Sequence, residues 1–130
     1  MAHPNEEIAR SATEALSKRD METFFSHQSD DIVLHFPGRG PMAGEYRGRD
    51  GMAQLFQKQM EMLDGPPEIE IYDVLASNDH AVVLNRVRAT KGGQTSEQQQ
   101  VVVMHIESGK ITETWLQFSD QQALDEFASS

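Results

Sequence analysis

The sequence predicts an α+β fold, helices first and an antiparallel sheet second, and three observations carry that prediction. Apolar residues recur at spacings of three and four up to Leu63 and at a spacing of two from Ile69 onward, with Gly65-Pro66-Pro67 marking the change. The second half is punctuated by turn sequences, Ser77-Asn78-Asp79, Lys91-Gly92-Gly93-Gln94 and Ser108-Gly109, which imply a meander of hairpins. The length of 130 residues is that of one domain, and nothing in the chain reads as a linker, a charge block or a repeat. The expectation is one domain over 1–130.

Asn5 is positioned to cap a first helix that carries Glu6 and Glu7 in its first turn, places Ile8, Ala12, Ala15 and Leu16 on one face, and ends near Lys18. Asp20 opens a short second helix with Met21, Phe24 and Phe25. Asp31 to Phe36 reads as a strand stopped by Pro37-Gly38, and Pro37 to Gly48, with four glycines and two prolines, reads as a loop. Asp50 opens a third helix, whose stripe of Met52, Leu55, Phe56, Met60 and Leu63 is expected in the core.

Strands follow at Ile69 to Leu75, Ala81 to Thr90, Thr95 to Glu107 and Lys110 to Phe118. Ser119 and Gln122 are spaced as a capping box for a last helix, with Ala123, Leu124 and Phe127 facing inward. Strands of about ten residues offer more face than one four-turn helix covers. Either the sheet curls round a pocket, or a second subunit covers its outer face, or both.

Composition narrows the function. Eleven Lys and Arg against 21 Asp and Glu give a net charge of −10, which repels phosphate backbones and anionic membranes, so neither nucleic acid nor membrane is expected as a partner. Cysteine is absent, which removes disulfides, thiol nucleophiles and thiolate metal sites and makes the cytoplasm the expected compartment. No run reaches the roughly 18 apolar residues of a membrane helix, and the polar first residues through Glu7 lack the pattern of a secretory signal. The five histidines are scattered without ligand spacing, and there is no Walker loop or Gly-x-Gly-x-x-Gly, so no metal and no cofactor is expected.

The run His35-Phe36-Pro37-Gly38-Arg39-Gly40-Pro41-Met42-Ala43-Gly44-Glu45-Tyr46-Arg47-Gly48 strongly resembles a block of SnoaL-like proteins, of the kind His-x-Pro-Gly-Arg-Ser-Pro-Leu-Ala-Gly-x-Tyr-Arg-Gly. Asp73-Val74-Leu75-Ala76 with Asp79-His80-Ala81-Val82, His105-Ile106 with Gly109-Lys110-Ile111-Thr112-Glu113, and Asp120 to Phe127 agree in order and spacing. These proteins belong to the superfamily of nuclear transport factor 2, ketosteroid isomerase and the polyketide cyclases. The resemblance implies a cystatin-like cone, with N-terminal helices packed in a curved antiparallel sheet, an apolar one-ended pocket, and a homodimer paired through the sheet. It implies a small hydrophobic molecule as partner and leaves the reaction open, because this fold hosts many chemistries or none. One expectation is an isomerase, cyclase or hydrolase acting by proton transfer on a hydrophobic oxygenated compound, polyketide- or steroid-like. The other is a non-catalytic ligand-binding or dimerisation module.

His35, Tyr46 and His105 are the catalytic candidates, as groups able to move a proton or hold an oxyanion. Both histidines have a structural alternative: His35 shares a face with Val33 and could brace the glycine-rich loop, and His105 shares a face with Val101 and Val103 that is either pocket wall or dimer sheet. Phe36, Arg39, Met42, Phe56, Val103 and Trp115 are the expected ligand-binding residues. The aspartate base and tyrosine–aspartate oxyanion hole of ketosteroid isomerase have no counterpart here. Ser119 or Asp120, near the position of the base in the cyclases, reads better as a helix cap, and Arg86 with Arg88 as an outer pair. Arg39, Arg47 and Arg49 against Glu45 alone suggest a locally cationic pocket rim.

Overall fold

A computed structural model describes residues 3–130; the first two residues of the polar N-terminal segment lie outside the described residues. The elements are α1 (Pro4–Ser17), α2 (Met21–Ser26), β1 (Gln28–Phe36), β2 (Gly44–Arg47), α3 (Gly48–Met62), β3 (Glu68–Ala76), β4 (His80–Lys91), β5 (Gln94–Glu107), β6 (Lys110–Phe118) and α4 (Gln121–Ser129). The α+β expectation holds, and four local departures have physical causes.

His3 rather than Asn5 caps α1. Pro4 occupies the first helical position, where its fixed φ and missing N–H suit the helix, so the cap falls one residue earlier and the His3 ring accepts from the Asn5 N–H. Asn5 is buried instead, and its amide donates to the carbonyls of Ser77 and Asn78, tying the helix start to the β3–β4 turn. The glycine-rich segment hides β2, which pairs antiparallel with β1 from Val33↔Arg47 to Phe36↔Gly44. Asp50 sits inside the first turn of α3 rather than capping it, and Met60 is 62% exposed, so the stripe is buried at Met52, Leu55 and Leu63 but not at Met60. Asp120, not Ser119, caps α4 by accepting from the Ala123 N–H, while Ser119 donates to the Gln98 side-chain oxygen and Ala123 is exposed.

The sheet order is β2-β1-β6-β5-β4-β3. Every pairing is antiparallel except β1 with β6, which run parallel with Leu34 beside Thr114 and His35 beside Trp115. The β4–β5 turn is held by φ of 57° at Gly92 and 80° at Gly93, the left-handed pair a two-residue hairpin requires, and both amides donate to Asp64.

Away from the irregularities at Gln28–Val33, Ile71–Asp73 and His105–Ile106, side chains alternate across this sheet. Leu34, Val83, Val102, Met104 and Thr114 point to the concave side, where α1 packs on β3 and β4 and α3 packs on β1 and β2. Ile32, Met52, Val83 and Ile111 are fully enclosed there. Val33, His35, Val82, Leu84, Val101, Val103, His105, Glu113 and Trp115 occupy the other phase and face outward.

Candidate functional site

Helices and concave sheet do not meet completely, and the gap is a cavity of about 130 Å³. Phe24, Phe36, Met42, Leu55, Phe56, Val87, Val102, Met104, Leu116, Phe118 and Phe127 make most of its wall. Phe24 and Phe56 meet edge to face at 5.7 Å, and Phe36 lies 5.7 Å from Phe118. Among the described lining residues none is Asp, Glu, His, Lys or Tyr.

The polar wall consists of carboxamides, two threonines and one cation. Asn85 is 1% exposed, Gln28 3% and Gln100 9%. Asn85 donates to the Gln100 side-chain oxygen across β4 and β5 at 3.0 Å, leaving its own Oδ1 without a partner, and the Gln28 Oε1 is unpartnered too. Thr13 is occupied with the Ala9 carbonyl. Arg19 lines the cavity beside Gln59, Leu63 and Pro67. It sits at the C-terminal turn of α1 with φ of 61°, closed by the Asp20 N–H on Ala15 O, a place usually given to glycine. Burial lowers its pKa, but a guanidinium remains charged.

Of the residues anticipated from the sequence, Phe36, Met42 and Phe56 line this cavity. The others do not. His35 points to the outer face, where its Nε2 donates to Glu113 at 2.5 Å, its Nδ1 lies 3.5 Å from Glu45, and its ring stacks on Trp115. His105 also faces outward, donating through Nδ1 to Thr112 and meeting the His80 ring at 5.0 Å. Val103 shares that face, between Val82 and Trp115. Each of these four lies one strand position out of phase with the wall, and the period of two sends them all outside.

Tyr46 is buried but away from the cavity: its hydroxyl donates to the Met42 carbonyl and accepts from Lys58. The Arg39 side chain is exposed, and its backbone N–H donates to Asp125. The expected cationic rim dissolves likewise, since Arg47 pairs with Glu45 and Arg49 with Asp30. Arg86 and Arg88 are outer-face residues paired with Glu70 and Glu97, around an open depression of about 790 Å³ that is charged and solvated.

The residues that sequence reading missed are Arg19, Gln28, Asn85 and Gln100. A signal existed for two of them. Asn85 interrupts the inward series Ala81, Val83, Val87, Ala89, and Gln100 precedes Val102 and Met104 in the same phase. A polar residue in an apolar phase is the pattern of a buried polar site.

The profile of the SnoaL-like domain matches residues 9–114. A protein of unknown function with a cystatin-like fold from Xanthomonas campestris is 31% identical, covering 95% of this chain and 97% of its own, at a TM-score of 0.88. Bal32a, from a soil-derived mobile gene cassette, is 26% identical over 96% of each chain at a TM-score of 0.90. TerC, co-crystallised with polyporic acid, shares the fold at a TM-score of 0.88 with 22% identity, over 98% of this chain and 100% of its own.

Proposed function

The chain belongs to the SnoaL-like domain family, and from that premise we propose that it is a binding cone for one small, largely hydrophobic, oxygenated molecule. The observation that carries this reading is the aromatic- and methionine-walled cavity with a few carboxamide residues among its lining. Such a composition, apolar with sparse convergent polar groups, is that of a small-molecule site. At about 130 Å³ it is small against the roughly 300 to 1,000 Å³ of drug-sized pockets. It is close to the ~150 Å³ apolar cavity that accommodates benzene, so a single-ring compound is the size expected. That TerC was crystallised with polyporic acid is in keeping with an organic ligand in this fold.

The binding reading is favoured over an isomerase, cyclase or hydrolase by what the wall lacks. Proton transfer needs an acid or base within hydrogen-bond reach of the ligand. His35 and His105 are across the sheet from the cavity, and the Tyr46 hydroxyl is committed to Met42. The second part of the reading is a homodimer. Val82, Leu84, Val101, Val103 and Trp115 are only partly covered, and Leu75 is 51% exposed, which leaves a contiguous apolar stripe along the outer face for a second copy. Residence in the cytoplasm belongs to the same proposal and rests on the cysteine-free composition.

The test is titration with toluene followed by heteronuclear NMR. Saturable shifts are expected at Val102, Met104 and Leu116, and Val102→Phe, which fills the space, should abolish them. Shifts confined to the outer face, or unchanged binding in the filled variant, would remove the cone from consideration.

A further inference from the structure

One charged residue borders the cavity, and its charge has no counterpart. Among the described lining residues Arg19 is the only one that is ionised. Its guanidinium makes no hydrogen bond or ion pair among the described residues, whereas Arg10, Arg47, Arg49, Arg86 and Arg88 each pair with a carboxylate at 3.9 Å or less. The carboxylates next to Arg19 and to its fellow lining residue Leu63 in the chain are engaged elsewhere: Asp20 accepts from Thr23 at the start of α2, and Asp64 takes the amides of Gly92 and Gly93. Burial lowers the Arg19 pKa, so the charged end itself is partly withdrawn from water.

The fold puts this residue at the open end of the cone. Ser17, two residues earlier, donates to the Ile69 carbonyl and ties the end of α1 to the start of β3. Along the inward phase of β4, Val83 is fully enclosed and Asn85 is 1% exposed, but Val87, which pairs with Ile69, and Ala89 are only half-buried. The cavity therefore meets solvent at the end where Arg19 lines it. The backbone there is unfavourable for a side chain, since φ is 61° at the residue that follows α1 and glycine would hold that turn without strain. Strain kept under a long cationic side chain at a cavity mouth points to a use for that side chain.

A guanidinium at the rim of an apolar cavity is matched by a ligand with an apolar body and an anionic end, and its planar fork suits a carboxylate. The cavity volume sets the body at one ring. Within the binding reading given above, on which this rests, we propose that the ligand is a single-ring carboxylic acid bound as its anion, with the ring in the cavity and the carboxylate on Arg19 at the mouth. Arg19 then selects acids over neutral compounds of the same shape, in a protein whose net charge of −10 disfavours anions over most of its surface.

Matched probes separate this proposal from the reading it rests on. Benzoate, benzamide and toluene present the same ring with an anionic, a neutral polar and an apolar end. Their dissociation constants for the full chain at pH 7, measured by NMR titration, are expected to show benzoate about fivefold tighter than benzamide, the scale of one part-exposed ion pair. Arg19→Gly removes the guanidinium and suits the left-handed backbone, so the amide spectrum should show an intact fold while the benzoate preference falls to unity and toluene binds within about twofold of the parent. Toluene binding without a benzoate preference in the unsubstituted protein would overturn the acid assignment and leave the cone intact. A preference that persists in Arg19→Gly would overturn Arg19 as its source. Binding of none of the three would overturn the cone itself. The benzoate–benzamide comparison needs no variant, so misfolding of Arg19→Gly does not rescue the proposal.

Discussion

The His35 imidazole lies nearly parallel to the Trp115 indole, 11° between planes and 5.6 Å between centroids, on the face of the sheet that points away from the cavity. The pair is a consequence of the parallel β1–β6 register, which puts the two residues side by side. With Glu113 and Glu45 at its two nitrogens, the imidazole is gripped on three sides by neighbours that belong to strands, not to a ligand.

His35→Ala is accordingly expected to leave the toluene dissociation constant within about twofold of the parent, with a stability loss of roughly 1 kcal/mol for the stacking and the part-exposed hydrogen bond to Glu113. Titration and urea unfolding measure the two effects. A tenfold loss of toluene affinity would return His35 to the ligand site.

Asp125 clamps the glycine-rich loop to α4. Its carboxyl accepts from Gln121 and from the backbone of Arg39 and Gly40, and the Gln121 bond, followed by those amides and the Arg39 charge, holds it below the usual carboxylate range. A carboxyl with a depressed folded-state pKa contributes stability above its unfolded value, and the contribution disappears as pH falls through the folded value. Asp125→Asn should lower the melting temperature at pH 7, and its gap to the parent should narrow as pH falls below 3.8. A gap that keeps its size would mean that the charge is not what holds the loop.

His27 has the opposite chemistry and the same sign. Burial, with a smaller contribution from Lys110, lowers its pKa from 6.5, and its ring sits 2.9 Å from the Ser11 hydroxyl. Between its folded value and 6.5 the unfolded chain binds the extra proton, so stability falls as the medium is acidified through 6.5. In His27→Gln the stability profile across that interval should be flatter than in the parent. An unchanged slope would place the pH dependence elsewhere.

Val103 stands at the middle of the outer stripe, opposite Val82 and Trp115. If two copies meet there, Val103→Glu buries one carboxylate from each beside its symmetry mate, which is strongly unfavourable. Light scattering should report a dimer for the parent and a monomer for the variant, with toluene binding preserved. A parent that is monomeric at tens of micromolar would end the dimer proposal.

The fold was legible because its two periodicities are clean. The three-and-four spacing through Leu63 and the alternation from Ile69 are enforced by burial on one side, and the hairpin turns carry their own chemistry at Gly92 and Gly93. What period alone does not supply is which phase faces in. Along β5 the series Val101, Val103, His105 is as apolar as Gln100, Val102, Met104, and only the helices lying on the second decide the matter. Val103 and Trp115 accordingly lie in the outer phase, whereas Phe36, Met42 and Phe56 line the cavity. β2 escaped because glycines at both its ends read as loop.

The parallel junction of β1 with β6 also bears on how the chain acquires its shape. Val33 and His35 find their neighbours Glu113 and Trp115 only after some eighty intervening residues have been made, and apart from the short β2 no other strand borders β1. Contacts between such distant segments close slowly, because a long loop must be ordered before any pairing rewards it. The hairpins β3 to β6 pair strands that follow one another in the chain, whereas β1 reaches β6 only across the whole of that meander. During synthesis on a ribosome, β1 and β2 therefore wait with an open edge until Phe118 has emerged, and assembly of the cone is an event of the completed chain.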